Sequence, residues 1–206
     1  MNKSGHRYFI VNKPFDMVSQ FVSPDDVNLL GKIDFDFPEG THAIGRLDSQ
    51  SEGMLLLTTN KKITRLLFES STPHKRKYLV LVKHVVSPET LLLLQTGITI
   101  RIKGDVDYVT TPCEVEIVQQ PDGLFRGAFE FDGRRPHTWL TITLTEGKYH
   151  QVRKMVAAAH HRCQRLIRLS IEDLQLGNLQ PGCVKEMEED DFFTQLNLDK
   201  TSLSQE

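Results

Sequence analysis

The 206-residue sequence predicts an α+β fold. Helix-like and strand-like stretches interleave without the regular strand–helix alternation of a doubly wound parallel sheet. Strand candidates show continuous apolar runs or a period of two, and helix candidates carry start and stop signals.

Tyr8–Asn12 reads as a strand ended by Lys13-Pro14. Residues 20–42 are rich in Asp, Pro and Gly and lack a period, so they predict an irregular excursion. Met54–Thr59 is an apolar run of strand length, and Asn60 can cap a helix with an Ile63, Leu66, Leu67 face. Thr72-Pro73 ends that helix, and Lys77–Lys83 is expected to alternate as a strand. Ser87-Pro88 opens a second helix, with an N-cap followed by Pro at the first helical position, and Gly97 stops it. Strands are expected near Ile98–Ile102 and Pro112–Val118, then a hairpin or loop over Pro121–Gly133. Thr138–Leu144 alternates strictly, which predicts a half-buried strand. His150–His161 favours a helix through Ala157, Ala158 and Ala159. Leu166–Leu176 is strand-like, and the tail from Lys185, with its acidic run and Phe192, Phe193 and Leu196, predicts a terminal helix. Residues 199–206 are expected to fray. The whole chain reads as one domain, 1–206, open to division into two subdomains that share a sheet.

No apolar run approaches the roughly 20 residues of a membrane span, and no apolar signal core follows the polar start. Cys113, Cys163 and Cys183 are sparse and odd in number, which argues for a reducing compartment. A cytoplasmic protein without a membrane partner is expected. The net charge of −2 argues against a polyanion partner, but its distribution argues for one. Residues 61–84 carry seven basic residues against Glu69, and residues 134–168 carry eight against Glu146. If the two stretches share a face, that face suits a polyanion; taken singly, each is an ordinary solvated run.

Three segments carry candidate chemistry. Ala43–Gly53 ends an apolar approach in Gly45, Arg46 and Asp48, then turns through small polar residues. Either a reactive carboxylate or a simple capped turn fits it. In Lys75-Arg76-Lys77-Tyr78 three cations run into an aromatic, which fits phosphate contacts beside a stacking ring or a charged strand edge. Glu146–Met155 puts Arg153 and Lys154 in the first turn of a helix, where cations oppose the helix dipole.

His160, His161, Cys163 and Cys183 fit none of the usual zinc spacings, and no metal is expected. No Walker A loop, G-x-G-x-x-G or G-x-S-x-G is present, so nucleotide hydrolase, dinucleotide and esterase chemistry lack support.

Together with Asn12-Lys13-Pro14 and Leu166–Leu174, these segments resemble, in order and form, the pseudouridine synthases of the small-subunit-type branch of bacterial rRNA enzymes. The resemblance spans about residues 8–187. It implies a mixed, mainly antiparallel sheet flanked by helices and loops, with the catalytic cleft across the sheet. It further implies isomerisation of uridine in RNA without a cofactor, by a monomer. Asp48 would be the catalytic carboxylate, Tyr78 would stack on the uracil, and Arg153 would pair with Asp48. Arg46 would fill the gap left by the flipped base, with Lys75, Arg76, Lys77, Lys148 and Lys154 on RNA, and Leu166 or Ile167 walling the uracil. Many branch members carry an N-terminal module of the ribosomal S4 type. Here the first motif begins at Tyr8, which points to the members that lack it and act on large-subunit rRNA. The alternatives are an rRNA assembly factor that keeps the fold without catalysis, and a small-subunit rRNA or tRNA substrate. The joint presence of Asp48 and Arg153 favours the enzyme.

Overall fold

The computed structural model describes residues 5–68, 73–127 and 134–200. In chain order the elements are β1 (Tyr8–Lys13), a 3-10 turn (Leu30–Lys32), β2 (His42–Ala43), β3 (Glu52–Thr58), α1 (Ile63–Phe68), β4 (Arg76–Lys83) and α2 (Pro88–Thr96). They continue with β5 (Thr99–Arg101), β6 (Asp107–Val109), β7 (Glu114–Val118), β8 (His137–Leu144) and α3 (Gln151–Ala158). The chain closes with β9 (Cys163–Ile171), β10 (Leu174–Gln175), β11 (Val184–Met187) and α4 (Glu189–Gln195). The expected α+β class holds. The chain divides into two compact units, residues 1–74 with 168–206, and residues 75–167.

In the first unit β1 lies between β3 and β11, antiparallel to both: Tyr8 faces Thr58 on one side and Met187 on the other. Every residue of β1 and β3 is buried, because both faces of the pair are covered. Successive side chains of a strand point to opposite faces. Tyr8 meets Phe192 of α4, with ring centroids 4.6 Å apart, and its hydroxyl donates to Glu189 Oε2 at 2.8 Å. Phe9 meets Phe35 and Phe37 edge-on, at 5.6 and 5.9 Å. The excursion over residues 20–42 is thus irregular in backbone but held by an aromatic cluster. Asn60 starts α1 as expected, its Oδ1 accepting from the Lys62 amide at 3.1 Å.

In the second unit β8 lies between β4 and β7, antiparallel to both, and β5 pairs with β6. Val80, Val82, Leu94, Leu140, Ile142, Val152, Met155 and Val156 form its core. Ser87 caps α2, accepting from the Thr90 amide at 3.2 Å, and Gly97 ends it at φ 111°.

Some sequence expectations need correction. Leu79, Val80, Leu81 and Val82 are buried in succession, so β4 does not alternate. β8 is not half-buried: five consecutive residues, Thr138–Ile142, are buried. Its threonines tolerate this because their hydroxyls are used; that of Thr138 donates to His84 O at 3.0 Å and accepts from the Val86 amide at 2.9 Å. The Leu166–Leu176 stretch is a hairpin of β9 and β10, turning at Glu172 with φ 49°. The short β6 and the edge strand β11 have no counterpart among the expected elements. The expected helix stop at Thr72, part of the Pro121–Gly133 loop, and residues 201–206 of the frayed tail lie outside the described residues.

Candidate active site

The Asp48 turn is built by its backbone. Beyond β2, the Ile44 amide donates to Leu56 O at 2.8 Å and the Ile44 side chain is fully buried. Gly45 then takes a left-handed φ of 71°, a conformation open to glycine without strain, and the chain leaves the sheet. Arg46 points to solvent while Leu47 returns to the core. The Ser19 hydroxyl accepts from the Leu47 amide at 2.9 Å and donates to Leu47 O at 2.7 Å. Asp48 O accepts from the Ser51 amide at 3.0 Å, closing a tight turn, and Ser49 O accepts from the Asp16 amide at 2.8 Å. The Asp48 side chain is half-buried on that turn.

Beneath the turn lies Lys13, with no exposed surface. Its ammonium donates to Pro14 O at 2.8 Å, Met17 O at 2.7 Å and Ser49 O at 3.3 Å. Burial pulls its pKa down to about 8, against the attraction of Glu52 and then Asp48, while the Arg168 cation lowers it further. Glu52 and Arg168 are themselves buried, and Arg168 Nε donates to Met54 O at 2.7 Å. Lys13 therefore holds the backbone that presents Asp48, with the buried charges of Glu52 and Arg168 acting on it.

In the second unit Tyr78 stands on β4 opposite Ile142, half-buried against the core. The approach to α3 is organised by Glu146. Its carboxylate accepts from the Tyr108 hydroxyl, the Thr111 amide at 3.1 Å and Gln151 Nε2 at 2.6 Å. Gln151 Oε1 in turn accepts from the Lys148 amide at 2.8 Å. The bond to Glu146, and then burial, raises the Tyr108 pKa. Gly147 leaves room for Arg76: a Cβ there would stand 2.9 Å from Arg76 Nη1. Arg153 follows in the first turn of α3, where its charge opposes the upward shift that burial imposes on the Cys163 thiol.

Of the residues read as functional, Asp48 and Arg46 stand in the first unit and the others in the second. Lys75 is exposed, 3.6 Å from Glu114, whereas Arg76 and Lys77 are half-buried. Lys148 is exposed and Lys154 half-buried. Leu166 belongs to the core of the second unit, and Ile167 is fully buried. The buried His161 turns Nδ1 to Lys83 O at 2.9 Å, while His160 is exposed. Sequence reasoning missed the roles of Lys13, Glu52, Arg168, Glu146 and Gln151. The signal for two of them was available, because Lys13 opens the first motif with Asn12 and Pro14 and Glu146 opens the last.

Residues 7–158 match the profile of the family described as RNA pseudouridylate synthase. The chain belongs to that family. Asp48, Tyr78 and Arg153 all fall inside the matched span. The synthase is 34% identical to ribosomal large subunit pseudouridine synthase E of Vibrio parahaemolyticus, across 88% of this chain and 74% of that protein. It is 27% identical to ribosomal small subunit pseudouridine synthase A of Salmonella typhimurium, across 91% of this chain and 73% of that one. A crystal structure of a pseudouridylate synthase superposes with a TM-score of 0.75 at 26% identity, covering 93% of this chain and 74% of that one. A chain of a Cbf5–Nop10–Gar1 complex shares the fold at TM-score 0.56 and 11% identity, covering 94% of this synthase and 57% of that chain.

Proposed function

We propose that this synthase isomerises uridine in large-subunit ribosomal RNA, with Asp48 as the reacting carboxylate, as a cytoplasmic monomer without metal or organic cofactor. The observation that carries the reading is the fixed Asp48 turn. Both backbone groups of Leu47 are held by Ser19, and Ser49 O is held by Lys13. A half-exposed carboxylate on backbone this constrained suits a reaction that needs one oriented anion. The substrate rests on the relatives named as large-subunit enzymes.

The reaction breaks the bond from ribose C1′ to uracil N1 and forms one from C1′ to C5, while the C5 proton is lost and N1 gains one. Nothing is oxidised and no water is consumed. Attack at C1′ and removal of a sugar proton both need the ionised carboxylate. A hydrolytic glycosidase uses two carboxylates flanking the bond; here the neighbouring Glu52 is buried and engaged with Lys13. Tyr78 is assigned the stack on the uracil, Arg153 the pairing with Asp48, and Arg46, exposed beside the turn, the gap in the RNA stack. Lys75, Arg76, Lys77, Lys148 and Lys154 are assigned phosphate contacts.

The test is to map pseudouridine across total rRNA from cells lacking the protein, and to restore it with wild type or Asp48→Asn. Wild type is expected to restore a single site, or very few, in the large-subunit RNA. Asp48→Asn is expected to fold and bind RNA but restore none. Arg153→Ala should cripple turnover, and the double variant should be little worse than Asp48→Asn, since groups acting as one unit are not additive. A missing site in small-subunit RNA would move the substrate; wild-type turnover by Asp48→Asn would remove the catalytic assignment.

A further inference from the structure

Tyr149 is 70% exposed, unusual for a side chain that ordinarily buries most of its ring. It is not loose on the surface. Its ring stacks on that of His150, with centroids 3.8 Å apart and planes 19° from parallel. His150 takes a left-handed φ of 55° at the N-cap of α3 without a side-chain capping bond. That conformation is uncommon for a residue with a Cβ. Lys154 Nζ lies 5.3 Å from the Tyr149 centroid, and Lys148 Nζ lies 4.6 Å from the centroid of Tyr108. The turn beneath is pinned by Glu146 and Gln151. A pre-ordered aromatic ring thus stands in solvent with Lys154 beside it and Lys148 over the nearby Tyr108, on a rigid base.

We infer that Tyr149 is a stacking platform for an unpaired nucleotide of the RNA substrate, with Lys148 and Lys154 receiving the flanking phosphates; the inference rests on the RNA reading above. The chemistry selects this occupant. A nucleobase offers a flat face to a ring whose other side is already backed by His150, and base–aromatic stacking tolerates any base. The two cations complement the phosphodiester chain that a nucleotide brings with it. The nucleotide concerned is distinct from the target uridine, which is assigned to Tyr78.

The test compares the full chain with Tyr149→Ala, Tyr149→Phe and Tyr149→Trp. The probes are a fluorescein-labelled oligouridylate and an abasic phosphodiester oligomer of the same length. Wild type is expected to prefer the oligouridylate. Tyr149→Ala should weaken that binding by roughly five- to a hundredfold, the range of one lost base stack, and leave abasic binding within about twofold. Tyr149→Phe should retain the preference. In Tyr149→Trp the new indole should be quenched by oligouridylate and not by the abasic oligomer; the native Trp139 is buried. Equal binding of both probes by wild type and Tyr149→Ala would overturn the platform. So would an equal loss on both probes, which would make the ring a support for phosphate contacts and not a base stack. The same preparations are assayed for pseudouridine formation on rRNA from the deletion strain. Turnover by wild type with no Tyr149-dependent preference sinks the platform alone. A Tyr149-dependent preference without turnover on any rRNA sinks the substrate reading and leaves the platform standing.

Discussion

Lys13 makes the synthase respond to pH through a single buried ammonium. Its folded pKa is near 8 against an ordinary 10.5. Below pH 8 it is charged in both states, and the burial penalty is fully present. Between pH 8 and 10.5 the folded protein has released the proton while the unfolded chain still holds it, so stability rises with pH. The rise is on the order of 3 kcal/mol. Tyr8 acts with the opposite sign: its folded pKa is about 12 against an ordinary 10, chiefly through burial, so stability falls above pH 10. Burial also raises the Cys113 thiol to about 11 from an ordinary 9, so it opposes the Lys13 rise from pH 9 upward. Urea denaturation across pH 7–11 is expected to show stability rising above pH 8 to an optimum near pH 9. Lys13→Met should lose the rise and keep the fall; an unchanged rise would remove Lys13 as its source. Little of this was legible in the sequence. Asp48 stands out as a charge among Gly and small polar residues, and Arg153 as a cation in the first turn of a helix, but a lysine between Asn12 and Pro14 looks like surface. Only the fold, by closing three carbonyls around it, makes Lys13 a buried anchor.

Elements were most legible where local chemistry decides them. Ser87-Pro88 and Gly97 fix both ends of α2, and their costs should differ for a physical reason. Ser87→Ala removes one capping bond to the Thr90 amide, worth about 1 kcal/mol. Gly97→Ala would place a Cβ 2.4 Å from the Thr110 carbonyl oxygen, at a φ of 111° that side chains rarely adopt. A backbone atom cannot step aside as a side chain can, so the loss should reach about 3 kcal/mol or more. Denaturation midpoints for the two variants check the order; a Gly97→Ala protein as stable as Ser87→Ala would show that the β5 connection gives way. Legibility failed where tertiary context overrides pattern. The threonines of β8 mimic a solvent face, yet Thr138 and Thr141 are buried with their hydroxyls bonded, Thr138 to His84 O and the Val86 amide and Thr141 to Glu116. β11 reads as the head of an acidic helix because Lys185 and Glu186 stand exposed on a sheet edge.

For the whole molecule, charge placement matters more than net charge. Because Arg76 lies against Gly147, reversing Lys75 and Lys77 to Glu is the cleaner probe of the basic stretch. RNA affinity should fall, and the slope of log affinity against log salt should shrink by about one for each phosphate that is no longer neutralised. An unchanged slope would take both lysines off the RNA surface. The α+β class was legible from interleaving alone; a division into two subdomains was expected, but its boundaries were not legible, since nothing marks 167–168 and Pro73 before 74–75 reads only as a helix stop. The second unit is one unbroken segment, while the first is assembled from residues that precede and follow it. That arrangement bears on biogenesis. A ribosome delivers the chain from its N-terminus at about 5–20 residues per second. β1 and β3 leave the exit tunnel early, but the strand that caps the other side of β1, Val184–Met187, and the helix that covers Tyr8 come last. For most of synthesis the nascent protein carries an open apolar strand edge. The inserted segment can condense before its host is finished, so a chain stalled short of residue 184 is the species most exposed to chaperones and to aggregation.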